Sequence, residues 1–230
     1  MANRIIDTII FDLDGTLIDS ALDVGVAVNK VLVEQGFEPI DDQTSRDLMG
    51  EGGKAMVAKA FRLRGHELTE ATLLRLTRRF IDHYRADPVG RTTLYPGVAD
   101  VVAGLHGEGI SMAVCTNKFE QPARDILDAL GLSRYIGDVA GADTFAMRKP
   151  DPGHLLHLLR RFERDHKNAV MVGDSIHDVQ AAKAAGIPVI AVTWGYTIEP
   201  AASFGADVLI DRFSALPEAL RGLAALPRLS

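Results

Sequence analysis

Residues 11–17 read Phe-Asp-Leu-Asp-Gly-Thr-Leu, and this stretch is the most informative one in the chain. It completes an apolar run that begins at Ile5 and is typical of a buried strand. The run ends in two carboxylates, Asp12 and Asp14, with one residue between them. Two unit charges ~4 Å apart repel each other by about 4 kcal/mol at an effective dielectric constant of about 20, so a cationic group must balance them. The stretch therefore predicts a buried strand that carries two acids at its carboxyl end.

The composition of the 230-residue chain is that of a globular protein with a sizeable core, since 47% of its residues are hydrophobic. The net charge of -6 argues against a general nucleic-acid binder, which would carry a basic face. No apolar stretch approaches the roughly 18 residues of a membrane span, and the N-terminus lacks the apolar segment of a signal peptide. One cysteine excludes an internal disulfide and a thiolate metal cluster. We expect a cytoplasmic monomer or homodimer that binds neither nucleic acid nor membrane.

Residues 18–92 follow the first strand as one long helical block. Apolar residues recur at helical spacing from Val24 to Leu32, and Gly36 stands where that helix would stop. Residues 87–90, Asp-Pro-Val-Gly, are typical of a linker. Further helical patterns, without a convincing strand among them, cover residues 43–49, 54–64 and 69–86.

The pattern changes to an alternation of helices and strands from Tyr95 onward. Predicted helices cover 98–108, 121–130, 151–163 and 176–185, and predicted strands lie at 111–115, near 139, and at 169–172, 189–192 and 208–210. Strands that are apolar throughout and alternate with helices indicate a parallel sheet covered on both faces. We therefore predict an α/β fold: a doubly wound, Rossmann-like parallel sheet formed by residues 1–17 and 93–230, with residues 18–92 inserted as an all-helical cap domain.

Polar residues cluster where the predicted strands end, which is where open α/β sheets bind their ligands. The first strand ends in the two acids of residues 11–17. The other polar clusters are Thr116-Asn117-Lys118 after a strand, Lys149-Pro150 before a helix, and Gly173-Asp174-Ser175 after a further strand, with Asp178 shortly after. One edge of the sheet is thus expected to collect acids, a lysine, a hydroxyl and an amide.

These residue types suit phosphoryl transfer, which needs a nucleophile, a proton donor and neutralisation of phosphate charge. Asp12 can act as the nucleophile, and Asp14 can protonate the leaving oxygen and later accept a proton from water. Oxygen ligands without histidine or thiolate favour Mg²⁺, with Asp174 as a further ligand and Asp178 completing or orienting the ligand set.

The remaining residues suit the binding of a phosphoryl group. Thr116 and Asn117 offer neutral donors, Lys149 offers a compact positive charge, and Gly15 lets the backbone turn and approach closely. Simpler interpretations exist for each motif taken alone: a capped turn at residues 12–15, a helix cap at Thr116 and Asn117, a solvated loop lysine at position 149, and a helix N-terminus at 173–175.

In these motifs the chain resembles the haloacid dehalogenase-superfamily phosphatases. Their four signature motifs match residues 12–16, Thr116-Asn117, Lys149-Pro150, and 173–175 with Asp178, in this order. The resemblance implies an aspartyl-phosphate mechanism, with Mg²⁺ held by Asp12, the backbone carbonyl of Asp14, and Asp174. His154 departs from the pattern, since relatives often have a second proline there, and we expect only a local effect.

Substrate choice is expected to involve the predicted cap, because a cap that closes over the site excludes water and recognises the leaving group. Arg46, Gly50 and Lys54 flank or belong to a glycine-rich segment, and Arg46 and Gly50 are our candidate substrate contacts. The same segment could equally be a flexible turn with solvated basic residues.

Further stretches resemble phosphoglycolate phosphatases, among them 46–50, 95–98 and 193–196. We therefore predict a Mg²⁺-dependent phosphatase that acts on a small phosphorylated metabolite, with 2-phosphoglycolate as the leading candidate. The alternatives are a sugar phosphomutase, another small-molecule phosphatase or pyrophosphatase, a phosphonate hydrolase using Lys54 or Lys30, and a binding protein without activity.

Overall fold

The computed structural model describes residues 5–50, 52–87, 89–197 and 199–225. The chain divides into two compact units: residues up to Ile18 and from Leu94 onward form an α/β unit, and Asp19–Thr93 form a helical unit. In the described part of the chain, no helix combines the length and apolar character needed to cross a membrane.

The α/β unit is built on a parallel sheet whose order places the first strand in the middle. Its strands are β1 (Thr8–Phe11), β4 (Ser111–Cys115), β5 (Asp138–Ala140), β6 (Ala169–Gly173), β7 (Val189–Val192) and β8 (Val208–Ile210). Two further short strands, β2 (Ile18–Asp19) and β3 (Thr93–Leu94), pair with each other where the chain passes between the two units. The main sheet has the order β5-β4-β1-β6-β7-β8. The predicted doubly wound α/β fold is confirmed.

The helices of the α/β unit cover the sheet because alternate strand residues point to opposite faces. They are α5 (Val98–Gly107), α6 (Glu120–Ala129), α7 (Pro152–Arg161), α8 (Ile176–Ala184) and α9 (Leu216–Ala225). Ile10 and Met171 belong to a buried cluster that includes residues of α7 and α8. The neighbouring Phe11 faces away from that cluster and stacks on Phe213, with ring centroids 6.0 Å apart.

Two details of this unit differ from the sequence prediction. Ile5 is 63% exposed and lies outside β1, because pairing with the neighbouring strands starts only at Thr8. Helix α9 was not predicted, although it buries Leu216 and Leu223.

In its described residues the helical unit contains four helices. These are α1 (Ala21–Glu34), α2 (Asp42–Asp47), α3 (Gly53–Leu63) and α4 (Glu70–Ala86). Of these, α1, α3 and α4 bury apolar side chains. Side chains of Asp41 and Thr69 cap α2 and α4 by accepting backbone N–H bonds. Phe61 and Leu76 are fully or almost fully buried. The predicted helices are confirmed to within two residues, and Pro88 of the predicted linker lies outside the described residues.

The first and last segments of the helical unit are joined by a buried carboxylate. Asp23, in the first turn of α1, accepts hydrogen bonds from the backbone N–H groups of Arg91 and Thr92, at 2.9 and 2.7 Å, and from the Thr92 hydroxyl at 2.6 Å. Asp23 is only 5% exposed, so its charge is stabilised by these donors rather than by water.

Candidate active site

The sheet register brings the sequence motifs to one edge. Phe11 pairs with Val114 on one side and with Val172 on the other, so the residues that follow these three leave the sheet side by side. Asp12 follows β1 directly, and Thr116 and Asp174 follow β4 and β6. The predicted meeting of these side chains at the carboxyl ends of the strands is what the structure shows.

Three carboxylates form a buried cluster at this edge. Oxygens of Asp12, Asp174 and Asp178 lie within 4.8 Å of one another. The residues are 8%, 4% and 0% exposed. Since buried carboxylates are costly unless paired or bound to a cation, this cluster requires positive charge nearby.

Lys149 supplies part of that charge. Its ammonium group lies 2.9 Å from Asp12 Oδ1 and 2.6 Å from Asp178 Oδ1, and the residue is 3% exposed. Burial alone would lower the pKa of Lys149, but Asp12 and Asp178 reverse this effect and raise the pKa above its ordinary value. The alternative of a solvated loop lysine is therefore wrong.

One ammonium group does not neutralise the cluster. Burial raises the pKa of Asp12 to about 7; Lys149 opposes this shift, and Asp178 and Asp14 add to it. Burial also raises the pKa of Asp174 well above its ordinary value, helped by repulsion from Asp12 and Asp178. The protein alone thus leaves a deficit of positive charge among hard oxygen ligands, and this fits a divalent cation such as Mg²⁺.

Glycines make room for Asp174. A Cβ atom on Gly15 or on Gly195 would overlap the Asp174 carboxylate, and Gly15 also has a φ of +83° that side chains rarely adopt. Asp174 accepts the Tyr196 N–H on Oδ2 at 3.0 Å and the Thr16 hydroxyl on Oδ1 at 3.4 Å. Its orientation is therefore set by segments distant in sequence.

Asp178 has both of its oxygens engaged by protein groups. Oδ1 contacts Lys149, whereas Oδ2 accepts hydrogen bonds from the Ser175 N–H at 3.0 Å and the Ser175 hydroxyl at 2.6 Å. Ser175 in turn caps α8, so the two residues form a capping box. The 2.6 Å contact with Lys149 suits a residue that orients this lysine. Residues 173–175 thus precede a helix and also belong to the candidate site, so the two interpretations of this motif are compatible.

Asp14 lies beside the buried cluster and has a different partner. Its Oδ1 lies 3.0 Å from the ammonium of Lys118, and the two side chains are 17% and 11% exposed. The motif pattern predicted no separate role for Lys118. The signal was its position directly after Thr116 and Asn117, at the end of β4.

Thr116 and Asn117 support the loops around the cluster. The Thr116 hydroxyl accepts the Lys118 N–H at 3.1 Å, and Asn117 Nδ2 donates to the Lys149 carbonyl at 3.1 Å. Helix α6 is preceded by Phe119, so the interpretation of the pair as a helix cap is wrong. The buried Oδ1 of Asn117 has no hydrogen-bond partner in the described part of the chain, and a bound donor would satisfy it.

His154 is a buried support of the Lys149 loop. Its Nδ1 accepts the Lys149 backbone N–H at 3.3 Å, and its Nε2 lies 3.1 Å from the Gly141 carbonyl. Burial and the charge of Lys149 lower the pKa of His154 to about 4, so the ring is neutral at pH 7. Relatives often have a proline at position 154, and the local effect that we expected of a histidine there is its packing against the Lys149 loop.

The candidate cap residues make ion pairs within the helical unit. Arg46 Nη1 contacts both oxygens of Asp19, at 3.0 and 2.9 Å, and Lys54 pairs with Glu70 at 2.6 Å. Gly50 is exposed, and Glu51 of the glycine-rich segment lies outside the described residues. The contact of Arg46 and Gly50 with substrate stays a prediction.

Comparison with known proteins points to one family. The family model for haloacid dehalogenase-like hydrolases matches residues 9–192. A phosphoglycolate phosphatase of Agrobacterium fabrum is 44% identical over 211 residues, which cover 92% of this chain and 91% of that protein. One of Rhodospirillum rubrum is 44% identical over 213 residues, covering 90% and 88%. The crystal structure of a predicted phosphoglycolate phosphatase from Haemophilus somnus superposes with a TM-score of 0.86 at 28% identity, covering 93% of this chain and 97% of that one.

Proposed function

The chain belongs to the haloacid dehalogenase-like hydrolases, and we propose that it is a Mg²⁺-dependent phosphomonoester hydrolase whose substrate is 2-phosphoglycolate. The observation that carries the chemistry is the buried cluster of Asp12, Asp174 and Asp178 around Lys149. The choice of substrate is supported by the phosphoglycolate phosphatases to which the chain is 44% identical over nine-tenths of its length.

The first step transfers the phosphoryl group to the protein. An Asp12 carboxylate oxygen attacks phosphorus, the bond from phosphorus to the ester oxygen breaks, and Asp14 gives its proton to that oxygen. The products are an aspartyl phosphate at position 12 and glycolate. Lys149, 2.9 Å from Asp12 Oδ1, holds the nucleophile and offsets negative charge as the bond forms.

The second step regenerates the free enzyme. Asp14, now ionised, accepts a proton from a water molecule, and the water oxygen attacks phosphorus. The bond from phosphorus to the Asp12 oxygen breaks, and inorganic phosphate leaves. One residue thus serves as acid and then as base, which requires that the Asp14 carboxyl lie within hydrogen-bond reach of the ester oxygen and of the attacking water.

Mg²⁺ would be held by Asp12, the Asp14 carbonyl and Asp174, and it would neutralise charge on the transferred phosphoryl group. Asp178 orients Lys149 in this scheme through the 2.6 Å contact between them. Gly15, Thr116 and Asn117 contribute to the phosphoryl site. Residues 18–92 act as the cap, with Arg46 and Gly50 as candidate contacts. Location in the cytoplasm and a monomeric or dimeric state stay predictions.

A panel of phosphate esters tests the substrate assignment. With Mg²⁺ present, phosphate release is measured from 2-phosphoglycolate, glucose 6-phosphate, a nucleoside monophosphate and pyrophosphate. We expect kcat/KM to be highest for 2-phosphoglycolate by at least about tenfold. A higher value for another ester, or isomerisation of a sugar phosphate without phosphate release, would contradict the assignment.

The variant Asp12→Asn tests the mechanism separately from the substrate. It should lower kcat by at least about 10³-fold, because the amide is a poor nucleophile. The control Asp125→Asn changes an exposed aspartate of α6 and should leave turnover unchanged. Thermal unfolding of both variants checks that the loss comes from chemistry and not from folding.

A further inference from the structure

Lys118 stands out among the residues at the site because its ammonium group contacts Asp14, the proposed proton donor. Its ammonium lies 3.0 Å from Asp14 Oδ1, and its side chain is 11% exposed. Lys149, the other lysine here, is committed to Asp12 and Asp178. We therefore expect Lys149 to lie at the phosphoryl end of a bound ester and Lys118 to lie at the end that carries the leaving group.

The backbone of Lys118 is held in place on both sides. Its N–H donates to the Thr116 hydroxyl at 3.1 Å, and its carbonyl accepts the Ala142 N–H at 2.8 Å. The backbone of Lys118 is therefore fixed, and the length of its four-carbon side chain determines how far the ammonium group extends.

The chemistry of the substrate places its carboxylate beside this ammonium. A proton donor lies about 2.7 Å from the oxygen it protonates, so the ester oxygen must be next to the Asp14 carboxyl. In 2-phosphoglycolate a single carbon separates the ester oxygen from the carboxyl carbon. Bonds of about 1.5 Å then keep the carboxylate oxygens within roughly 4 Å of the ester oxygen. A lysine in contact with Asp14 is within reach of that carboxylate.

We propose that Lys118 binds the substrate carboxylate and so selects phosphate esters whose ester oxygen is on the carbon next to the carboxylate. This assignment rests on the proposed function and deepens it. A charge-assisted hydrogen bond in a site this shielded from water discriminates strongly against an ester that lacks the anion. The class includes 2-phosphoglycolate and 2-phospholactate, and it excludes 3-phosphoglycerate, whose carboxylate is one carbon further from the ester oxygen.

The test compares two esters of similar size on the wild type and on Lys118→Met. The esters are 2-phosphoglycolate and 2-hydroxyethyl phosphate, which replaces the carboxylate with an alcohol. The wild type should prefer 2-phosphoglycolate, and Lys118→Met should lower the ratio of the two kcat/KM values by at least about 30-fold, mainly through KM. Lys118→Arg keeps the charge and should retain more of the ratio than Lys118→Met.

Two controls separate the alternatives. Lys167→Met removes an exposed lysine and should leave the ratio unchanged. Arg46→Met removes the cap residue that the sequence favoured. If Arg46→Met abolishes the preference and Lys118→Met preserves it, the assignment to Lys118 is overturned.

The outcome also distinguishes this inference from the proposed function. If Lys118 only supports Asp14, both esters lose activity equally, the ratio stays constant and the inference fails. If the wild type does not prefer 2-phosphoglycolate at all, the proposed function fails first. Should Lys118→Met unfold, the dissociation constant of 2-phosphoglycolate for Asp12→Asn, with and without the uncharged Lys118→Gln, gives the same answer without turnover; an unchanged constant would count against the inference.

Discussion

Gly195 shows at the scale of one residue how tightly the acid at position 174 is seated. A Cβ atom at Gly195 would overlap the Asp174 side chain, so any other residue there must displace the carboxylate. The family resemblance marks residues 193–196 as a stretch, but the contact of Gly195 with Asp174 was not predicted, because it joins segments about twenty residues apart. The requirement is visible only when β6 and the loop after β7 lie side by side.

The substitution Gly195→Ala should therefore weaken Mg²⁺ binding. We expect the Mg²⁺ concentration for half-maximal activity to rise by at least about tenfold, because a displaced ligand or its support commonly costs 10–100-fold in metal affinity. The matched control is Gly104→Ala in helix α5, where an added Cβ meets nothing within 4 Å. That control should leave Mg²⁺ activation unchanged and stabilise the helix slightly. Equal Mg²⁺ requirements for both variants would refute the prediction.

The protonation state of Asp12 makes a second prediction at this scale. Burial raises its pKa from 3.8 to about 7, so in the metal-free protein the carboxyl is largely protonated at pH 5 and ionised at pH 8. A divalent cation binds the ionised form and must displace the proton at low pH. The apparent Mg²⁺ affinity should therefore increase by up to about tenfold per pH unit between pH 5 and 7.

The stability of the metal-free protein should follow the opposite trend. Because the folded-state pKa of Asp12 lies above the unfolded value, its contribution to stability is complete below pH 4 and is lost as the pH rises through 7. Thermal unfolding at several pH values, with Mg²⁺ and with a chelator, measures both effects. A Mg²⁺ affinity that is the same at pH 5.5 and pH 8 would contradict the account.

Asp23 acts at the scale of secondary-structure elements, where it joins the first turn of α1 to the segment before β3. Three donor groups converge on this one buried carboxylate. Asp23→Ala would leave the Arg91 and Thr92 donors without their partner. The free energy of unfolding should then fall by roughly 2–4 kcal/mol, as expected for buried donors left unsatisfied.

Asp42→Ala is the matched comparison for this prediction. Asp42 pairs with the side chain of the same Arg91, at 3.0 Å, but the two side chains are 66% and 47% exposed. Exposed ion pairs contribute little to stability, so this variant should unfold at nearly the same denaturant concentration as the wild type. Equal destabilisation by both substitutions would show that the buried carboxylate has no special role.

The elements themselves could largely be predicted from the sequence, because most strands of the α/β unit are short apolar runs followed by polar residues. Strands β4, β7 and β8 have their predicted bounds. The errors fall where local pattern and tertiary context disagree. Ile5 continues the apolar run but has no sheet neighbour, and α9 follows several turn-like residues that obscured its start.

At the scale of the whole molecule, the sequence predicts where the functional residues lie better than it predicts which of their side chains contact each other. The ends of β1, β4 and β6 follow from the pattern, and so does the meeting of their polar residues. Which oxygen meets which donor does not follow, because Lys149 and Asp178, or Asp14 and Lys118, are joined only through the sheet register. The burial of His154 was missed for the same reason.

The most direct test of the central claim is a crystal structure of the protein with Mg²⁺ and trifluoroberyllate, which mimics a phosphoryl group bound to a carboxylate. We predict that beryllium is bonded to a carboxylate oxygen of Asp12 and that Mg²⁺ contacts Asp12 and Asp174. Lys149 should remain beside the cluster. Beryllium on another residue, or a cluster of acids that binds neither group, would contradict this prediction.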